Sequence, residues 1–481
     1  MTLKQAYLIV DVGTGNVRVA VAEPNGNILG VESEDARYEK DPHHPESIYF
    51  SPDALWQQII GLAKKIFDKT GEINITAVTA TSQREGIVVI DNAGNSLIGM
   101  PNIDHRGREW EDIIEDKHAV YQLTGRYPTS LFSALKLVGL RNRIPETWQR
   151  VHTFMSISDW VQYKFSGVVG YEHSQACETL LYDVAAKDWS ADLCSIFDLN
   201  PSLLAPLQDC GSIQGKILPE IAAVFGISND AVVIVGGSDT QLAIMSMCPS
   251  VNDIVIVSGT TTPVIKISAD YLLDDAERTW TSRHTDGNSF LLEANAGVTG
   301  LNYQRLKEIF YPNEPYALIE EEVASIKDAQ CVAALGSLIA DEKSPLIRGG
   351  FIFNTPVSHE LKRGHFVFAT LWDIACSIFE NYKSLCEVIA HEEDHIWACG
   401  GGVQSRLLRQ FLANLTNKKV GIRDNYRQAS AVGCVFACNL ALGVESDIPP
   451  VLEEVAPDDS IAHEHLYQEW KKSRGTFKSA L

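Results

Sequence analysis

Residues 7–29 read YLIVDVGTGNVRVAVAEPNGNIL. Tyr7 to Val12 is an apolar run with a single acid, Asp11, the pattern of a buried strand. Gly13-Thr14-Gly15-Asn16 breaks it with turn-forming residues, and Arg18 to Ala22 resumes strand character. Pro24-Asn25-Gly26-Asn27 is a second turn, followed by Ile28-Leu29. The chain therefore doubles back twice, and the stretch predicts an antiparallel meander. It does not predict a strand that feeds a helix, as a dinucleotide-binding turn requires.

Similar units recur further along. Ile75 to Ala80, Ala231 to Val235, Ile254 to Val257 and Ile396 to Cys399 are short apolar runs. They end respectively in Ser82-Gln83-Arg84-Glu85-Gly86, Gly236-Gly237-Ser238-Asp239, Ser258-Gly259-Thr260-Thr261 and Gly400-Gly401-Gly402. Between them lie helical patterns: one capped by Asp53 and closed by Gly71, one over Phe368 to Ile389, and one capped by Ser405. Ile87 to Ile90 and Ser96 to Ile98 form a hairpin. This alternation of strands and helices predicts an α/β protein. Strand, Gly-Thr turn and strand occur at Tyr7 to Ala22 and again at Ile254 to Ile267, so two related halves are expected, 1–248 and 249–481.

The 481 residues carry 40 Lys and Arg against 62 Asp and Glu, a formal charge of −22. So acidic a surface repels nucleic-acid phosphates and anionic lipids, and neither is an expected partner. With 45% hydrophobic and 21% charged residues, a folded core is expected. No apolar run approaches the roughly 18 residues of a membrane span. The ten cysteines are scattered, with no Cys-x-x-Cys pair. Cys434 and Cys438 read as core thiols, and His43 and His44 as loop residues. Strand character from Tyr7 onward also argues against a signal peptide, and the expected location is the cytoplasm.

An anionic substrate must then be held by local donors. None of the loops is a Gly-x-x-x-x-Gly-Lys-Ser/Thr phosphate loop. At Asp11 to Arg18, however, hairpin glycines can aim backbone N–H groups at a phosphate. Thr14 adds a hydroxyl, and Asp11 can hold a hydrated Mg²⁺. Ser258-Gly259-Thr260 offers similar donors. Asp239 follows a strand and two glycines; it reads either as a base for an alcohol or as a helix cap. Gln83-Arg84-Glu85, with Asn102 and Asp104, supplies the donors and acceptors that hydroxyl-rich ligands need. Gly400-Gly401-Gly402 lets a flat ring or a phosphate approach the backbone, and Gln404 and Ser405 open the next helix.

Taken in order, these loops resemble the FGGY family of carbohydrate kinases, within the actin/hexokinase/heat-shock ATPase superfold. The resemblance implies two ribonuclease-H-like domains around a central cleft, with ATP and Mg²⁺ as cofactors. It implies Asp239 as catalytic base and Asp11 at the metal. Thr14, Gly15, Asn16 and Arg18 would meet ATP on one side, and Gly259 and Thr260 on the other. Gly401, Gly402 and Gln404 would line the adenosine pocket. Gln83, Arg84, Glu85, Asn102, Asp104 and Asp239 would hold a small sugar or polyol. Dimers are common among relatives, which makes a homodimer possible, but the sequence does not settle the oligomeric state.

The sequence departs from the family at Gly139, where the segment Lys136-Leu137-Val138-Gly139 lacks the usual Trp. Asn414 replaces a common Asp, and Gln428 a common Glu. Arg84 to Val88 and Asn102 to Arg106 resemble the autoinducer-2 kinases most, which makes autoinducer-2 an alternative specific substrate. A non-catalytic ATP-binding or sugar-sensing relative is the competing class; Gln83-Arg84-Glu85, Asp11 and Asp239 argue against it.

Overall fold

The computed structural model of the chain describes residues 3–326, 328–342, 344–458 and 463–479. They fall into two compact units. The first comprises Met1–Cys248 with Thr281–Phe290 and Ala429–Ile448. The second comprises Pro249–Trp280, Leu291–Gln428 and Pro449–Leu481.

The first unit is built on a six-stranded sheet. Its strands are β1 (Lys4–Val12), β2 (Asn16–Ala22), β3 (Ile28–Asp35), β4 (Ile73–Ser82), β5 (Ile213–Lys216) and β6 (Val232–Ser238). The order across the sheet is β5-β6-β4-β1-β2-β3. β1, β2 and β3 form the expected antiparallel meander. β4 pairs parallel to β1, and β6 parallel to β4. Alternate residues of β1 face opposite sides. Leu8, Val10 and Val12 pack with Trp56, Ile59 and Leu62 of α1 (Pro52–Thr70) and Trp160 and Val161 of a helix over Ile157–Ser166. Tyr7 and Ile9 pack on the other face with Leu242, Val432, Cys434 and Cys438. α1 starts at Ser51, whose hydroxyl accepts from the Ala54 N–H at 3.3 Å. Asp53 is instead in the first turn, where its charge suits the helix dipole.

Further helices of this unit are α2 (Ser133–Arg143) and α3 (Asp239–Ser246). α3 lies against the helix over Ala429–Leu442 at backbone distance: a Cβ on Gly433 would stand 2.0 Å from the Leu242 carbonyl oxygen. This close packing is why residues 429–448 join the first unit. A similar contact explains Gly139, since a Cβ there would meet the Arg106 carbonyl oxygen at 2.6 Å. The place of the family's tryptophan is filled by main chain.

In the second unit the sheet carries β7 (Ile254–Val257), β8 (Thr261–Ser268), β9 (Phe290–Val298), β10 (His395–Cys399), β11 (Lys419–Arg423) and β12 (Val451–Val455). They lie in the order β9-β8-β7-β10-β11-β12. β7 is antiparallel to β8 and parallel to β10, β10 is parallel to β11, and β12 is antiparallel. This repeats the pattern β2-β1-β4-β6-β5 of the first unit, sense for sense. The long helix over Arg363–Val388 and α4 (Arg406–Thr416) pack together in this unit, and Ser405 caps α4 as expected. Among the described residues no helix is long and apolar enough to cross a membrane.

The register of β6 contains an irregularity between Ile234 and Gly237. It depends on Gly236, where a Cβ would stand 1.9 Å from the Ala80 carbonyl oxygen. Gly236→Ala is therefore expected to destabilise the protein by about 1–3 kcal/mol, measured by urea unfolding.

Candidate active site

Three neighbouring parallel strands of the first unit end at one level. Val12 pairs with Ser82, and Ser82 with Ser238. Asp11, Gln83 and Asp239 are each within one residue of that line, so they emerge together at the strands' C-terminal edge, where α/β sheets bind ligands. Asp239 is the first residue of α3, behind Ser238 at the cap position. Its Oδ1 accepts from its neighbour Thr240, N–H at 2.6 Å and Oγ1 at 3.2 Å. Asp239 therefore opens the helix without capping it, since Ser238 holds the cap position, and its carboxylate lies at the sheet edge. Crowding by protein raises its pKa, as does the charge of Asp11, against the pull of Arg84; the result is about 6. Behind it, Ser174 accepts from the Ser238 N–H at 3.0 Å and donates to buried Glu172.

Asp11 is largely buried. Its Oδ2 accepts from Ser430 at 3.0 Å and lies 3.8 Å from Arg18. The hairpin beyond is held by the Gly13 N–H to the Asn16 carbonyl, 2.9 Å. Gly15 and Asn16 are exposed, and a Cβ on Gly15 would meet nothing within 4 Å. A second set of contacts ties this hairpin to Gln83 and Asn102. Asn102 donates from Nδ2 to Thr14 Oγ1 at 2.9 Å, and its backbone N–H donates to Gln83 Oε1 at 2.9 Å. Tyr38 donates to the Thr14 carbonyl at 2.9 Å and accepts from Gln83 Nε2 at 3.1 Å.

Arg84 and Glu85 are both buried. Glu85 has a positive φ of 61°, sparsely populated by residues with a side chain. Burial and the neighbouring Glu178 push its pKa up. Lys136, wholly buried in α2, donates to the Leu131 carbonyl, and burial lowers its pKa. Asp104 has both carboxylate oxygens engaged by protein. It is fully buried, its Oδ1 accepts from the Ile48 N–H at 2.7 Å and its Oδ2 from Arg106 Nε at 2.7 Å. Its geometry is that of a loop anchor. Tyr38, Lys136, Glu178 and Ser430 escaped the sequence reading. A charged residue such as Lys136 inside the apolar run of α2 was the available signal.

In the second unit, β7 and β10 end level, Val257 pairing with Cys399. The loops beyond them interlock. The Ser258 N–H donates to the Cys399 carbonyl and the Gly402 N–H to the Ser258 carbonyl, each at 2.8 Å. A Cβ on Gly400 would stand 2.3 Å from the Ser258 carbonyl oxygen, and one on Gly402 2.1 Å from Ser258 Oγ. These two glycines serve packing. Gly259, Thr260 and Gly401 are exposed, and a Cβ on Gly401 would meet nothing within 4 Å. Gln404 lies in the short turn before α4, its carbonyl accepting from buried Arg409 at 3.2 Å. Gln410 and Asn414 are tied instead to Ala456 and Asp458.

Comparison with known proteins bears on the family and the fold. The model of the FGGY family of carbohydrate kinases, N-terminal domain, matches residues 6–246, and that of the C-terminal domain matches residues 320–442. The chain is 48% identical to "Putative sugar kinase YoaC" of Bacillus subtilis (strain 168), over all of its own length and 99% of that protein. It is 24% identical to the autoinducer-2 kinase of Yersinia pseudotuberculosis serotype O:3 (strain YPIII), over 91% of this chain and 86% of that one. The fold matches xylulose kinase from Lactobacillus acidophilus at 17% identity, with a TM-score of 0.84 over 98% of each chain. It matches Plasmodium falciparum glycerol kinase with ADP at 19% identity, with a TM-score of 0.83 over 99% of each.

The Asp239 carboxylate loses its proton on raising the pH through about 6. A base that must be ionised gives kcat/KM that falls below that pH and is flat just above it. An acid limb near pH 6 in the wild type is the expected profile, measured by ADP release between pH 5 and 8; a profile flat down to pH 5 would contradict it.

Proposed function

Because the chain belongs to the FGGY family of carbohydrate kinases, we propose that it moves the γ-phosphoryl group of ATP onto a hydroxyl of a small sugar or polyol, with Asp239 as general base. It is an enzyme that phosphorylates sugars. The observation that carries the finer reading is the carboxylate of Asp239 at the common edge of β1, β4 and β6, in the electrostatic company of Asp11 and Arg84.

In this reading the first half of the chain, 1–248, holds the acceptor, the first phosphate loop and the base, and the second, 249–481, holds the second phosphate loop and the adenosine. Arg84, Glu85, Gln83 and Asn102 engage the acceptor's hydroxyls. Asp239 takes the proton of the attacking hydroxyl while its oxygen bonds to the γ-phosphorus and the bond to ADP breaks. Such transfer depends mainly on alignment and on neutralising phosphate charge. Asp11 is a hard oxygen donor suited to a hydrated Mg²⁺, which would supply part of that neutralisation. A Cβ on Gly15 or Gly401 would meet nothing within 4 Å, which leaves room there for a phosphate or nucleoside to approach the backbone. Gly402 supports this loop from behind.

Autoinducer-2 precursor is the second reading of the acceptor, favoured by the likeness of this chain to autoinducer-2 kinases along 91% of its length. A coupled assay of ATP consumption over pentuloses, polyols, aldonates and that precursor separates the two. Asp239→Asn is expected to lower kcat by about 10²–10⁴-fold with ATP affinity retained in calorimetry. Wild-type turnover in that variant would remove Asp239 from the role. Gly402→Ala, which presses on Ser258 Oγ, is expected to raise the KM for ATP and leave that for the sugar unchanged.

A further inference from the structure

Glu178 belongs to none of the loops described so far. It follows the short helix His173–Ala176, is fully buried, and lies 52 residues from its principal partner, Arg126, which is also fully buried. Arg126 grips it with two parallel hydrogen bonds, Nε to Oε2 at 3.0 Å and Nη2 to Oε1 at 2.5 Å. A buried ion pair of this kind is a weak source of stability, because desolvation offsets most of the attraction. The pair has a second consequence. Glu178 Oε1 also lies 3.8 Å from Arg84 Nη1. One carboxylate thus stands between two guanidinium groups, one structural and one in the acceptor loop.

We propose that Glu178 is a positioning residue: held by Arg126, it fixes the direction in which Arg84 presents its guanidinium to the acceptor sugar. The proposal rests on the sugar-kinase reading of this site.

The surroundings make Glu178 a fixed point. Its carbonyl accepts from Ser133, N–H at 3.5 Å and Oγ at 3.4 Å, and the Ala134 N–H donates to the Thr179 carbonyl at 2.9 Å. The segment is thereby joined to the first turn of α2. Arg126 is fixed in turn. It follows Gly125, whose φ of 64° ends a helix and whose Cβ, if present, would stand 2.2 Å from the Thr281 carbonyl oxygen. The Arg126 N–H donates to Thr124 Oγ1 at 3.1 Å.

Arg84 lies in the tight turn after β4, closed by the Gly86 N–H to the Arg84 carbonyl at 2.7 Å. Its other carboxylate neighbours are Glu85, 4.0 Å from Nε, and Asp239, which feels its charge. Without the charge of Glu178 the guanidinium is repelled by Arg126 and drawn toward Glu85 and Asp239, away from the orientation that meets a hydroxyl.

The test uses the full chain and the variants Glu178→Gln and Arg126→Lys, with D-xylulose, D-gluconate, glycerol and 4,5-dihydroxypentane-2,3-dione as acceptors. On the acceptor with the highest wild-type kcat/KM, Glu178→Gln is expected to raise the sugar KM by about 10²-fold and to leave the KM for ATP unchanged. Its crystal structure is expected to show the Arg84 guanidinium displaced by about 1 Å or more. Arg126→Lys keeps the charge but not the paired geometry, and is expected to give a smaller rise in sugar KM at an unchanged melting temperature. It carries the test if Glu178→Gln fails to fold. Unaltered sugar KM in both variants, or an unmoved Arg84 in Glu178→Gln, overturns the proposal. If the wild type turns over none of the four acceptors, the substrate class proposed above is wrong, and the crystallographic position of Arg84 alone decides the role of Glu178.

Discussion

The site depends on the register of three parallel strands. β1, β4 and β6 are hydrogen-bonded so that Val12, Ser82 and Ser238 lie on one line. Side chains of a strand alternate faces, so a slip by one residue would turn Asp11 and its neighbours to the opposite side. Burial on both faces of the sheet fixes the register, with Leu8 and Val10 committed to one core and Tyr7 and Ile9 to the other. The chemistry at the edge follows from the packing below it. Gly236 completes the arrangement by letting β6 depart from regular pairing just before Asp239.

Around that edge the protein concentrates charge that it shields from water. Arg84, Glu85, Arg126, Lys136 and Glu178 are all buried. Their cost is limited because cations and carboxylates alternate. In the proposed reaction this arrangement would offer an acceptor hydroxyl donors and acceptors that need little reorganisation when it binds. Tyr38, Gln83 and Asn102 extend the network to the carbonyl and hydroxyl of Thr14, so the loop after β4 and the Gly-Thr hairpin are held in a common frame.

Much of this was legible in the sequence, for identifiable reasons. The meander, the strands ending in Gly-rich loops and the repeat in the second unit are written in local periodicity and turn residues. The position of Asp239 at the end of a buried strand was legible, while the sequence left open whether it serves as a base or as a helix cap. What was hidden is tertiary. The pairing of Arg126 with Glu178 joins residues distant in sequence, and nothing in either neighbourhood announces it. The polarity of Asp104 is visible in sequence, whereas its engagement by Arg106 and Ile48 is not. In Gly400-Gly401-Gly402 three equivalent letters have different tasks, since only the fold reveals that the outer two press on Ser258. Ser51 rather than Asp53 caps α1 because the chain turns into the helix two residues earlier than the acid suggests.

The central claim is that Asp239 faces the hydroxyl that becomes phosphorylated. A crystal structure of the chain with ADP and an accepted sugar tests it most directly. The account predicts one sugar hydroxyl at hydrogen-bond distance, about 2.6–3.2 Å, from the Asp239 carboxylate, with Arg84 on the same ligand. A sugar bound elsewhere, with Asp239 touching none of its hydroxyls, would contradict it.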